Sequence, residues 1–135
     1  MKFSTRSQYG LRAMVYLSLN PNKPFSLKQI SEVEGIPFDY LEKILSRLRK
    51  AGLIKSAKGV SGGYFLSRRP KNIRIGEIIN TLEGKIALVK CVGSAKSFCP
   101  WQKNCRTRNV WEKAQRAVVS ALNSFTLFDL ISNKK

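Results

Sequence analysis

The side chains best able to do chemistry in this chain are Cys91, Cys99 and Cys105. Seven residues separate the first pair and five the second, in a 135-residue sequence that has no histidine. A thiolate is a soft metal ligand and a reversible oxidation site, and Lys90, Lys96, Lys103 and Arg106 around these three favour the deprotonated form. Neither spacing is the two-residue knuckle of common zinc sites, so zinc is possible but not favoured. Two chemistries fit: thiolates that hold an iron–sulfur cluster, whose negative charge the lysines would offset, or thiols that form a reversible disulfide under oxidation.

An odd, clustered set of cysteines argues for metal or redox use rather than a disulfide framework. The opening MKFSTRSQYGLRAMVYLSL is interrupted by Arg6, Gln8 and Arg12, so it lacks the apolar segment of a signal peptide. No apolar run approaches the roughly 18 residues of a membrane span. The expectation is a cytoplasmic protein with no membrane partner.

Twenty-five Lys and Arg against eight Asp and Glu give a net charge of +17, which suits a polyanionic partner. Residues 43–74 hold ten basic side chains (Lys43, Arg47, Arg49, Lys50, Lys55, Lys58, Arg68, Arg69, Lys71 and Arg74) and no acid. Apolar residues interleave with them in periodic order, which reads as a charged face on folded elements rather than a disordered tail. Nucleic acid is the natural partner. The alternatives are ribosomal RNA, with the chain as a structural RNA-binding protein, or an anionic membrane surface. An enzyme is disfavoured, because the sequence has no histidine, no paired acid cluster, no phosphate loop and no nucleophile elbow.

The elements that must position these residues follow from periodicity and punctuation. A helix apolar on most sides is expected over Thr5–Leu19, closed by Asn20-Pro21-Asn22-Lys23-Pro24. Ser26-Leu27-Lys28-Gln29 is a capping box that opens a short helix ending at Gly35. A second helix begins near Pro37, which suits a first helical turn, and Leu41, Ile44, Leu45 and Leu48 mark its buried stripe before Gly52 closes it. Asp39, Tyr40, Glu42, Lys43, Arg47 and Lys50 then point largely away, the pattern of a helix-turn-helix. Strand-like runs at residues 53–56 and 63–66 flank Lys58, Gly59, Gly62 and Gly63 and make a wing. Ile75, Ile78, Ile79 and Leu82 form another short helix. Residues 107–125 carry the longest helical pattern, with Trp111, Ala114, Val118, Leu122 and Phe125 in one narrow seam that needs a partner. A short capped helical turn is expected at residues 126–131. The expected fold is therefore mainly α with a small β wing, a winged helix-turn-helix plus a long C-terminal dimerisation helix. It divides into a DNA-binding part (1–84), a cysteine-bearing loop (85–106), and a dimerisation helix with its tail (107–135), within a single compact domain.

In this order, and above all in YLEKILSRLRKAGLIKSAKGVSGGYFLSR, Ile75-Gly76-Glu77-Ile78-Ile79 and the closing Thr126-Leu127 segment, the chain resembles the Rrf2 family of bacterial transcription regulators. The resemblance covers nearly the whole chain. It implies a homodimeric repressor or activator that reads a pseudo-palindromic operator, with the second helix in the major groove and the wing tip at the minor groove. Tyr40, Glu42, Lys43, Arg47, Lys58 and Gly59 inherit those roles, joined by Ser26, Lys28, Asp39 and Lys50 as DNA-binding candidates. Glu42 can accept from a cytosine amino group, whereas on a merely solvated helix it would pair with Lys43 or Arg49. Arg47 and Lys50 can meet phosphate.

The resemblance also places Cys91, Cys99 and Cys105 in the loop where cluster-binding members carry their three thiolate ligands. The first spacing here is longer than the family's usual one. Arg108 stands where a histidine ligand would be, and a guanidinium stays protonated and cannot ligate. Gln8 stands where the nitric-oxide-sensing branch has an aspartate. The fourth ligand is thus unknown, with water, a small thiol, Gln8 or Glu83 as candidates, and 4Fe-4S is favoured over 2Fe-2S. The alternative is a cluster-free regulator of the same family, controlled by thiol redox state or by a protein partner.

Overall fold

The computed structural model describes residues 2–59, 62–84, 86–88 and 106–132. Among the described residues, six helices and one antiparallel hairpin follow in order: α1 (Thr5–Leu19), α2 (Leu27–Glu34), α3 (Phe38–Lys50), β1 (Ile54–Ala57), β2 (Gly63–Leu66), α4 (Ile75–Glu83), α5 (Arg108–Asn123) and α6 (Leu127–Ser132). A short 3-10 turn, Pro70–Asn72, precedes α4. This is the expected helical fold with a small β wing.

The first helix is central because one of its faces carries small side chains. Gly10, Ala13 and Ser18 are buried beside Met14 and Leu17, and α1 packs on α3, α4 and α6. At Gly10 the missing Cβ leaves the space that Leu82 of α4 and Ile44 of α3 occupy. The stripe Leu41, Ile44, Leu45 and Leu48 of α3 is fully buried and joins Ile30, Ile54, Ile78 and Leu82 in one core, with α3 packed on α1, α2, α4 and β1.

Helix ends obey local chemistry. The capping box at the start of α2 is complete: the Ser26 hydroxyl accepts the Gln29 N–H at 3.0 Å, and the Gln29 side chain accepts the Ser26 N–H at 3.4 Å. The second helix of the motif starts one residue later than expected, with Pro37 as its N-cap instead of in its first turn. At its other end the Leu53 N–H returns to the Leu48 carbonyl and the Gly52 N–H to that of Arg49, both at 3.0 Å, a Schellman closure. Leu53 is committed to that cap, so the strand begins at Ile54 rather than at 53.

The wing has a third partner that periodicity does not reveal. Phe25 donates to the Tyr64 carbonyl (2.9 Å) and accepts from the Tyr64 N–H (2.7 Å), so the residue before the Ser26 cap of α2 adds a bridge to the hairpin. Gly63 makes this possible, because a Cβ there would collide with the Phe25 backbone.

The final helices are tied back to the core. Ile75 N–H donates to Phe125 O (2.9 Å), Leu127 N–H to Ile73 O (3.0 Å), and the Arg74 guanidinium to Asn123 O (2.9 Å). Leu127 is fully buried, and Thr126 and Asp129 cap α6 reciprocally. The expected long helix spans Arg108–Asn123, slightly shorter than residues 107–125. Along its seam Ala114, Val118 and Leu122 are half-buried, whereas Trp111 and Phe125 keep 40% and 49% of their surface exposed.

Close packing at Gly10 sets the sign of a substitution there. Elsewhere in a helix Gly→Ala gains about 1 kcal/mol, but here the added methyl meets buried Leu82. Gly10→Ala is expected to cost about 1–3 kcal/mol in urea unfolding. Adding Leu82→Val makes room, so the double variant should lose less than the sum of the two single changes.

Candidate nucleic-acid interface

Burial of one stripe of α3 fixes what its other side presents. Asp39, Lys43 and Lys50 lie along the middle of the outward face, with Glu42 and Arg47 on its two flanks, and all five are exposed. Asp39 sits in the first turn, where the helix dipole favours a negative charge. Among the described residues, no ion pair within 4 Å involves Asp39, Glu42, Lys43, Arg47, Arg49 or Lys50. Pairing of Glu42 with Lys43 or Arg49 is therefore not seen. Arg49 and Phe38 are also exposed on α3, and Lys55 on β1; the sequence reading did not assign Phe38 or Arg49 to the interface, and mere exposure was the only available signal.

Tyr40 differs from its neighbours. Its half-buried ring meets Tyr9 of α1 edge-on, with centroids 5.7 Å apart, and the Arg12 guanidinium lies 5.8 Å from the Tyr9 ring centre. Arg12 also reaches Glu34, pairing with its carboxylate at 3.2 Å and donating to its backbone carbonyl. One helix thus braces both members of the helix-turn-helix. Ser26 is occupied as the cap of α2, while Lys28 in the first turn of α2 is exposed. On the wing Lys58 and Gly59 are exposed, Gly59 with φ of 105°; residues 60 and 61 of its tip lie outside the described residues.

The ten basic residues from 43 to 74 do not form one face. Arg68 grips Glu77 at 2.8 and 3.2 Å and also donates to Asn72 O, and this hydrogen bonding holds the Glu77 carboxyl below the usual carboxylate range. Arg74 is tied to Asn123, and the Lys71 ammonium lies 4.7 Å from the Phe128 ring centre. These three brace the scaffold. Among the described residues, the other seven of the ten (Lys43, Arg47, Arg49 and Lys50 of α3, Lys55 and Lys58 of the wing, and Arg69 just after it) have no ion pair.

Cys91, Cys99 and Cys105 lie outside the described residues. Among the described residues, no cluster of three His, Cys, Asp or Glu side chains is placed to hold a metal. Three of the positions discussed as fourth ligands are described. Arg108 pairs with Glu112 at 3.2 Å. The Gln8 amide donates to Phe3 O. Burial raises the Glu83 carboxyl, but the Ser4 N–H it accepts at 2.5 Å and nearby Arg6 outweigh this and hold it below the usual range. No described helix is long and apolar enough to cross a membrane.

Comparison with known proteins gives a consistent answer. The family model described as "Rrf2: Iron-dependent Transcriptional regulator" matches residues 3–133. The chain is 39% identical over 132 residues to the Rrf2 protein of Nitratidesulfovibrio vulgaris, covering 97% of this chain and 87% of that one. The solved structure of T. potens IscR superposes with a TM-score of 0.81 at 38% identity, covering 100% of this chain and 89% of that one. The structure of CymR, the global cysteine regulator of B. subtilis, gives 0.80 at 37%, covering 100% and 99%.

The division of the basic residues can be measured. Arg47→Ala or Lys50→Ala should each lower the slope of log affinity for duplex DNA against log salt by about one, with the melting temperature unchanged. Arg68→Ala should lower the melting temperature and leave the slope as it was.

Proposed function

The chain belongs to the Rrf2 family of transcriptional regulators, and from that premise we propose that it binds a pseudo-palindromic operator as a homodimer and reports the state of its three cysteines. The observation that carries this reading is the outward face of α3, where Glu42, Lys43, Arg47 and Lys50 are exposed and form no ion pair among the described residues. In the major groove Glu42 accepts from a cytosine amino group, with Asp39 beside it one turn earlier and Tyr40 on the opposite flank to meet base edges. Lys43, Arg47 and Lys50, with Ser26 and Lys28 at the start of α2, fix the helix against phosphates. Lys58 and Gly59 carry the wing to the minor groove, whose narrow stretches attract cations.

Pairing of two copies through α5 is supported by its half-exposed seam of Trp111, Ala114, Val118, Leu122 and Phe125. Beside that seam lies an apolar recess of about 170 Å³ walled by Phe3, Leu11, Ile75, Ile79 and Leu122. Residues 1–84 act as the reading part, 85–106 as the sensing segment and 107–135 as the pairing part.

Cys91, Cys99 and Cys105 supply three thiolates, the donor set for three irons of a 4Fe-4S cluster. When bound, such a cluster supplies a redox- and nitric-oxide-sensitive group. This chain's part is to keep the thiolates ionised among Lys90, Lys96, Lys103 and Arg106. One observation favours a second reading, a cluster-free thiol switch: the two protein side chains named as fourth-ligand candidates already make hydrogen bonds within the chain, Glu83 accepting the Ser4 N–H and the Gln8 amide donating to Phe3 O.

One anaerobic preparation tests these readings together. It is assayed for iron and sulfide and for size in solution, then used, loaded and stripped, to select genomic fragments. The expected result is a dimer that enriches a few two-fold-symmetric sites. A monomer with only a steep salt dependence and no site preference refutes the operator reading in favour of general RNA or polyanion binding. Cys99→Ala should abolish the visible absorbance; unchanged colour refutes the ligand assignment.

A further inference from the structure

Every residue of α5 is exposed or half-buried except Gln115, which is 8% exposed. A primary amide buried on a helix whose neighbouring seam is apolar destabilises the fold unless both its oxygen and its nitrogen find partners. Both do, on one short stretch of chain. Gln115 Oε1 accepts the Leu88 N–H at 2.9 Å, and Gln115 Nε2 donates to the Ile86 carbonyl. These groups flank Ala87 on one side of the backbone, so a single side chain takes the part that a neighbouring strand would play. The stretch follows α4 and leads to Cys91, three residues beyond Leu88.

The far end of α5 is fixed as well, through Asn123, Phe125 and Leu127 to residues 73–75 at the start of α4. That helix packs on α3 and α1. The chain leading to the thiols is therefore fastened to the middle of a helix whose end is fastened to the helices that support α3.

Resting on the regulatory reading above, we propose that Gln115 is a positioning residue: its amide transmits the state of the cysteine segment to α5, and so to the spacing and aim of two α3 helices in a dimer. A leucine at this position would fill the same space without either hydrogen bond. If the amide were merely structural, its loss would weaken all states of the protein alike. If it transmits, its loss should leave DNA binding in one state intact and erase the difference between states.

The test uses full-length wild type and Gln115→Leu. Measured are melting temperature, iron and sulfide per chain, and Kd for the selected operator in the loaded and stripped forms. Wild type should show a difference between forms of about tenfold, an ordinary size for such coupling. Gln115→Leu should bind the operator in the stripped form within about twofold of wild type and show a loaded-to-stripped ratio near one. A variant that keeps the wild-type ratio overturns the proposal. Leu88→Pro removes the N–H that Gln115 accepts while keeping the glutamine; it should reproduce the same loss of ratio, and it decides the matter if Gln115→Leu does not fold.

Should wild type hold no iron or sulfide, the cluster reading fails by itself, and the comparison is made between reduced and diamide-oxidised protein. Loss of the redox difference in the variants supports the role of Gln115. Its persistence, or the absence of any difference in wild type, overturns it.

Discussion

The burial of Leu41, Ile44, Leu45 and Leu48 is the constraint on which the rest of the structure depends. Four fully buried side chains on one stripe leave α3 no rotational freedom. Turning the helix to hide Lys43 or Arg47 would expose that stripe to water, at roughly 1.5–3 kcal/mol for each large apolar side chain. The identity of the outward residues is therefore decoupled from folding. They can be chosen for a ligand because the inward ones alone hold the helix in place.

That stripe needs a surface to meet, and α1 supplies part of it, with α2, α4 and β1, through the smallness of its own inward face. Gly10 lets Leu82 and Ile44 reach the helix backbone, and Tyr9 and Arg12 on the same helix brace Tyr40 and Glu34. The wing is fixed by an equally local device, the Phe25 bridge to Tyr64, which joins the hairpin to the chain just before α2. The outward helix α3 and the wing are thus held by short-range contacts to shared elements. Relative motion between them would have to break backbone hydrogen bonds.

How much of this was legible in the sequence depended on the range of the interaction that decides it. Caps and periodic stripes are local, so the capping box at Ser26, the α3 stripe and the closure at Gly52 could be read directly. Pro37 as N-cap and the strand starting at Ile54 differ from the reading by one residue, because the terminal hydrogen bonds settle such boundaries. What could not be read was pairing at a distance. Phe25 follows a proline-rich turn and carries no alternation to mark it as a strand residue. Gln115 looks like any polar helix residue until the backbone of residues 86–88 is laid against it. The run of ten basic residues gave the sign of the partner. It could not show that Arg68, Lys71 and Arg74 are occupied within the chain, since Glu77, Phe128 and Asn123 reach them only after folding. The cysteine-bearing segment was legible as chemistry and as likeness to a family, while its geometry falls outside the described residues.

The eight acids complete the electrostatic argument. Glu34 and Glu77 pair with Arg12 and Arg68, Glu112 with Arg108, Glu83 accepts from Ser4, and Asp129 caps α6. Of the remaining three, Asp39 and Glu42 stand on the outward face of α3, and Glu32 is exposed on α2. In a chain with net +17 that is short of acids, two carboxylates without an ion pair among the described residues, set beside the cations of one helix, weaken attraction to phosphate. General affinity for a polyanion is better served without them. They are useful when a negative group must reject most surfaces and accept the one that offers it a donor, as a cytosine amino group does. In the reading proposed here, the cations bring the helix to any duplex, and Glu42, with Asp39 beside it, makes most of those encounters unproductive.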